Sequence, residues 1–214
     1  MGAVDRLNMK NGTGGCTRLV SAVLALMTVA SVSALSQQID LKLDPAKTIV
    51  RFSLDASLHT VHGAFQVKPG ALEFDIASGQ ISGEILVEAN SGVTGNGMRD
   101  RKMHKDVLES ESYPEISFLP DRIDGAVAGR GKSSVNVHGM FRIHGVEREI
   151  TVPAQVEMAA DLWSAIVHFT IPYAKWGMKN PSTLFLRVND SVEIELAVSG
   201  TVAEHSATPR DAAQ

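Results

Sequence analysis

The chain has 214 residues, 44% of them hydrophobic and 21% charged, which suits one domain with a real core. Beyond residue 34 it carries 17 basic against 23 acidic side chains. That balance argues against a nucleic-acid partner, because phosphate neutralisation needs clustered Lys and Arg.

The N-terminus has the pattern of a secretory signal. Lys10 and Arg18 flank an apolar run, Leu19 to Val32, interrupted only by Ser21, Thr28 and Ser31. Val32-Ser33-Ala34 then offers small residues at signal-peptidase spacing. Residues 1–34 are expected to be removed, with Ser36 as a second cleavage point and an uncleaved anchor as the alternative. The run is short of the roughly 20 residues that span a bilayer. The expected location is periplasmic or secreted. Cys16, the only cysteine, precedes the apolar run, whereas a lipid-modified cysteine would follow it. The mature chain would then lack thiol catalysis and Cys-based zinc sites.

Period-two patterning follows. Val50, Phe52 and Leu54 alternate with polar residues. So do Ile81, Gly83, Ile85, Val87 and Ala89. Later sets are Val135 to Ile143, Ile150 to Met158, Trp163 to Ile171 and Val192 to Val198. Shorter strands are expected at 65–67, 72–74 and 116–119. Lys68-Pro69-Gly70, Asp124-Gly125 and His144-Gly145 are turn signals. Met98 to Glu109 breaks the rhythm with helical spacing. Asn96 can cap its start, and Pro114 forbids its extension. Residues 203–214 are polar, include Pro209 and are expected to be disordered.

The fold expected is all-β: an antiparallel barrel of about eight strands with one short helix inserted, over residues 39–202. Such a barrel is either filled by its own side chains or holds one ligand. The inward candidates are mid-sized, and about 180 residues is long for a filled barrel. A hollow lined by these residues is apolar. A polar ligand would leave buried groups unpaired there. A long prenyl or acyl tail would gain about 0.8 kcal/mol per buried methylene, less the cost of association.

Five motifs in order resemble the YceI-like proteins, exported bacterial lipid-binding domains. They are Leu43-Asp44-Pro45 through Phe52, His59-Thr60-Val61-His62-Gly63-Ala64-Phe65, Asn96-Gly97-Met98-Arg99-Asp100 with Leu108, Tyr113-Pro114-Glu115-Ile116-Ser117-Phe118, and Val137 through Val146. Val188-Asn189-Asp190-Ser191-Val192 completes the order. The resemblance implies an extended lipocalin-like barrel whose apolar channel holds a polyisoprenoid, such as an isoprenoid quinone or its precursor. It implies no catalytic residues. One departure is Arg101-Lys102-Met103-His104, where the family often continues from Arg-Asp into a His-Leu pair.

On this reading the tail-contacting residues are Phe52, Leu54, Phe65, Phe74, Ile85, Val87, Ile116, Phe118, Phe141, Val152, Val167, Phe169, Trp176 and Ile194. Trp176 is open to two readings, a plug at one barrel end or a wall of the channel. Arg99 and Arg101 are candidates for a head-group contact, against a solvated helix face. The histidines lack zinc spacing, so no metal is expected. No cofactor is expected beyond a bound lipid, and no nucleophile motif appears. The partner expected is an apolar lipid, with room for a transient membrane-surface contact and for a homodimer. The competing functions are a filled-core adaptor and a lipid-modifying enzyme using the same cavity.

Overall fold

The computed structural model describes residues 38–204. The signal segment, its cleavage site, Cys16 and residues 205–214 lie outside the described residues.

Among the described residues eleven strands form one antiparallel sheet. They are β1 (Gln38–Leu43), β2 (Ile49–Asp55), β3 (Thr60–Phe65), β4 (Ala71–Asp75), β5 (Ile81–Gly83), β6 (Ile85–Glu88), β7 (Glu115–Asp124), β8 (Gly131–Ile143), β9 (Val146–Met158), β10 (Leu162–Ile171) and β11 (Val192–Glu204). The count exceeds eight because three of the eight barrel positions are broken strands. β11 pairs with β1 along Gly200–Glu204 and with β2 along Glu193–Ala197, so β1 and β2 share one position. β2 pairs with β3, and β1 with β4. β5 pairs with β4 and β6 with β7, with only Glu84 between β5 and β6. Gly83 makes that break at φ 110°, a backbone that side-chain-bearing residues rarely adopt.

Closure comes from the third broken position. Lys68 N donates to Leu86 O at 2.8 Å, and Glu88 N to Gln66 O at 3.0 Å. These bonds join the β3–β4 connection to β6, so the sheet nearly closes on itself. β7 to β11 then run as a meander in chain order.

The turns follow their sequence signals. His144 and Gly145 both have positive φ, 52° and 72°, the conformation of a two-residue type I′ hairpin between β8 and β9. β11 runs past the expected boundary at 202: Ala203 pairs with Asp40 and Glu204 with Ile39. The expected short helix forms, over 97–107. Helix α1 spans Gly97–Lys102 and continues as a wider π turn over Met103–Val107. The Asn96 side chain caps it, accepting from Met98 N and Arg99 N at 3.1 Å each. None of the helices among the described residues is long and apolar enough to cross a membrane.

The core has two parts. Ile39, Leu41, Leu72, Phe74, Ile81, Val152, Trp163 and Val198 pack one end of the barrel. Leu108, Ile116, Phe141, Ile143, Ile171, Tyr173, Trp176 and Met178 pack the other.

Candidate functional site

The barrel is hollow. A cavity of about 630 Å³ runs between the two core clusters, within the 300–1,000 Å³ typical of small-molecule sites. It is lined along β10 from Trp163 to Ile171. At about 3.3 Å per residue and a strand tilt near 40°, that stretch covers roughly 20 Å of barrel axis. The filled interior of the adaptor alternative is therefore not what this chain builds.

Parity along the strands makes the wall. Val167, Phe169 and Ile171 on β10 turn inward together, as do Ile194, Leu196 and Val198 on β11. Phe52 sits over Gly63, its register partner on β3. A Cβ at Gly63 would collide with the Phe52 ring and come within 2.7 Å of Val93 O. Phe52 and Phe65 meet tilted at 40° with centroids 5.4 Å apart, an arrangement ring quadrupoles favour.

Among the described residues no carboxylate lines the cavity. Most of its polar groups collect at one end: His59 on the β2–β3 turn, then Thr94, Asn96, Arg99 and Lys102 around α1. That end is the mouth. Thr94 holds the rim together, donating from N and Oγ1 to Asp100 Oδ1 at 2.9 and 2.5 Å. Arg99 donates back, from Nε to Thr94 Oγ1 at 2.8 Å and from Nη2 to Thr94 O at 3.0 Å. His104 ties the π turn to Gly92 O at 2.8 Å. Lys102 Nζ reaches Pro181 O at 3.3 Å, linking α1 to the loop before β11.

Three other groups sit among apolar side chains, and one of them, Trp163 Nε1, is buried without a partner at the far end. Ser117 Oγ is buried without a partner. Tyr173 donates to Asn189 O at 2.6 Å. Burial, with Asp190 nearby, pushes its phenol up to about 12, so it stays neutral in the ordinary pH range.

Of the fourteen residues read as tail-contacting, thirteen line the cavity. Trp176 does not: it follows β10 at the mouth end of the barrel and packs outside the lining. Its ring meets Phe141 edge-on, centroids 5.4 Å apart at 82°, with the Arg148 guanidinium 5.3 Å from its centre. The two arginines also divide. Arg99 lines the mouth, while Arg101 lies on the exposed side of α1. His144, the first residue of the β8–β9 turn, meets Tyr113 at 45° with centroids 4.4 Å apart. His138 pairs with Asp121 at 2.7 Å, beside the bulge after Pro120. Among the described residues no group of three His, Cys, Asp or Glu is placed to hold a metal.

Several wall residues escaped the sequence reading. Leu196 and Val198 share the parity of Ile194 and were legible. Met178, Leu186 and Val188 lie outside the regular strands, where no period points inward or outward.

A family model, the YceI-like domain, matches residues 41–200. The chain belongs to the YceI-like family. The match runs from β1 into β11, so it takes in the whole barrel and the mouth. Among solved structures, BcnA from Burkholderia cenocepacia is 21% identical with a TM-score of 0.62, covering 74% of this chain and 99% of that one. A polyisoprenoid binding domain from Saccharophagus degradans is 15% identical with a TM-score of 0.63, covering 78% and 99%. The YceI protein of Campylobacter jejuni is 17% identical with a TM-score of 0.55, covering 68% and 86%. At these identities the likeness establishes the extended lipocalin-like barrel. No curated protein matches the chain.

Proposed function

We propose that this YceI-like protein is a non-catalytic carrier or store for a long apolar lipid of the polyisoprenoid class, working in the bacterial cell envelope. The observation that carries the reading is the asymmetry of the cavity: about 630 Å³ of apolar-walled space whose charged side chains gather at one mouth. An amphiphile with one polar end and one long tail matches it. The tail replaces dispersion partners that the lining side chains lack across an empty space. The polar end stays at Asn96, Arg99 and Lys102, where it meets donors and water. The Saccharophagus degradans neighbour is described as a polyisoprenoid binding domain, and the family match is consistent with a shared ligand class.

A binding role without chemistry is supported by the lining. Its ionisable side chains are His59, Arg99, Lys102 and Tyr173. Arg99 meets the Thr94 hydroxyl only as a donor, so it is no base for it, and the neutral Tyr173 is engaged to a backbone carbonyl. General acid–base work needs a poised pair in reach of a substrate.

The test is organic extraction of the purified protein, followed by mass analysis. A stoichiometric prenyl lipid is expected. A barrel that comes out empty and takes up no added farnesol overturns the carrier reading.

A further inference from the structure

We infer that the mouth of the barrel is a docking face for an anionic bilayer, through which cargo passes without entering water. The inference rests on the carrier reading for its purpose, and on separate surface features for its evidence.

Among the described residues, Ile49, Val93, Leu119, Leu162 and Ile166 are 37–57% exposed, and the four most exposed large apolar side chains fall together. Leu58, Met98, Leu184 and Phe185 are 79%, 75%, 97% and 92% exposed. All four lie on the three segments that frame the mouth. Leu58 is in the β2–β3 turn, between the cavity-lining Ala56 and His59. Met98 opens α1 and itself lines the rim. Leu184 and Phe185 form the tip of a loop whose two sides, Pro181 and Leu186, line the cavity. The tip is a built turn, with Thr183 N bonded to Leu186 O at 2.8 Å.

These segments are joined to one another. Ser57 N donates to Arg187 O at 2.8 Å, and Asn189 N to Asp55 O at 2.8 Å. Lys102 Nζ bonds Pro181 O. The four apolar tips are therefore carried on one connected rim. Leu and Phe held in water at over 90% exposure forgo the free energy that burial would return, and such a patch marks an interaction site.

Charge identifies the partner. The rim segments 55–60, 96–107 and 178–188 carry six cations, Arg99, Arg101, Lys102, Lys105, Lys179 and Arg187, against three carboxylates, Asp55, Asp100 and Asp106. The chain beyond residue 34 is otherwise acidic, with carboxylates outnumbering cations. None of the six cations is in an ion pair among the described residues. Apolar tips among Lys and Arg without carboxylate partners fit an interface that is oily below and anionic at its surface. An acidic protein surface would use the cations but not four aliphatic and aromatic tips. A second copy of the chain would set like charges face to face.

The test places a reporter at the tip of the full chain. Trp163 and Trp176 are buried, so a Phe185→Trp variant adds one exposed indole whose signal is the difference from wild type. It reads its own immersion, whatever residues 1–37 do. Added to phosphatidylglycerol–phosphatidylethanolamine vesicles, its emission is expected to shift blue and to be quenched by brominated acyl chains. Phosphatidylcholine vesicles and high salt should weaken both effects. A Leu184→Ser/Phe185→Ser double variant should lower vesicle partition on the order of a hundredfold, with farnesol uptake in solution unchanged. A reporter that stays water-exposed on anionic vesicles overturns the docking face and leaves the carrier reading standing. So does a double variant that partitions normally yet sediments as a smaller species than wild type, which would assign the patch to self-association. Immersion without farnesol uptake supports the docking face and removes the carrier reading.

Discussion

Trp176 backs Phe141, edge to face at 5.4 Å, and only Phe141 touches the cavity. The aromatic pair thus divides two tasks that the sequence leaves merged. Phe141 forms the wall, and Trp176, 4% exposed, packs behind it between Phe141 and Arg148, outside the lining. Trp176→Ala is expected to cost about 3–5 kcal/mol of stability, read as a lower denaturant midpoint. Farnesol affinity of the protein that remains folded should change less than threefold. A large loss of affinity with an unchanged midpoint would return Trp176 to the channel wall.

The far end of the cavity should set tail length. Ala165 lies there, facing inward beside its register partners Val156 and Val198, all three lining the cavity. Ala165→Phe fills space a long tail would occupy and leaves the mouth alone. Competition between prenols of increasing length should show the longest losing most and the shortest losing little. An equal loss at every length would mean the tail does not reach this layer.

Arg99 and Arg101 are two residues apart yet face different surroundings. Arg99 is held at the mouth by Thr94 through two bonds, whereas Arg101 is exposed away from the lining. Hydrogen bonds to charged groups are worth about 1.5–3 kcal/mol. Arg99→Ala is therefore expected to weaken farnesyl phosphate by roughly tenfold or more relative to farnesol, with Arg101→Ala near wild type. Equal effects of both variants on both ligands would remove the head-group contact. Titration calorimetry reads all four pairs.

The barrel was legible because strand parity is a strict physical constraint. One face of each strand is buried, so Val167, Phe169 and Ile194 had to be apolar and Thr170 and Glu193 could be polar. The same parity could not distinguish Phe141 from Trp176, since Trp176 follows Pro172 in a short turn where no period applies. Nor could it show that β1 and β2 share a barrel position. That depends on β11 being long enough to pair with both, a nonlocal fact. Hollowness was undecided for a related reason: apolar inward residues fill a narrow barrel or line a wide one, and only the spacing of the strands selects between them. The Leu184-Phe185 tip carried no signal, because a lone apolar pair in a loop has no phase.

Acid and base should destabilise the fold through different groups. Lys68 bonds Glu115 at 2.7 Å across the closure of the barrel and holds that carboxyl below its usual value of 4.5. The folded value is depressed, so this contribution is present above pH 4.5 and fades as pH falls through the folded value. Tyr173 has the opposite sense, its phenol raised from 10 to about 12, chiefly by burial. Its contribution is present below pH 10 and is lost as pH rises towards about 12. Chemical denaturation between pH 9 and about 12 should show stability falling, and Tyr173→Phe should flatten that fall while lowering the plateau through loss of the bond to Asn189 O. A wild-type plateau that stays level across this range would place the Tyr173 phenol in contact with water.

Occupancy itself should be measurable as stability. A ligand that binds only the folded barrel stabilises it by about 2.7 kcal/mol at a hundred times its Kd. For a domain of this size each kcal/mol moves Tm by roughly 2–4 °C. Protein stripped of lipid under mild organic extraction should therefore melt roughly 5–10 °C lower than the protein as purified, and farnesol should restore part of the difference. The restoration should be smaller in Ala165→Phe with long prenols, because that variant removes the space those tails fill. It should be unaffected by Leu184→Ser/Phe185→Ser, whose side chains lie outside the wall. Equal melting temperatures before and after stripping, with lipid shown to be present in the first sample, would mean that the lipid sits on the surface and that the hollow is not its site.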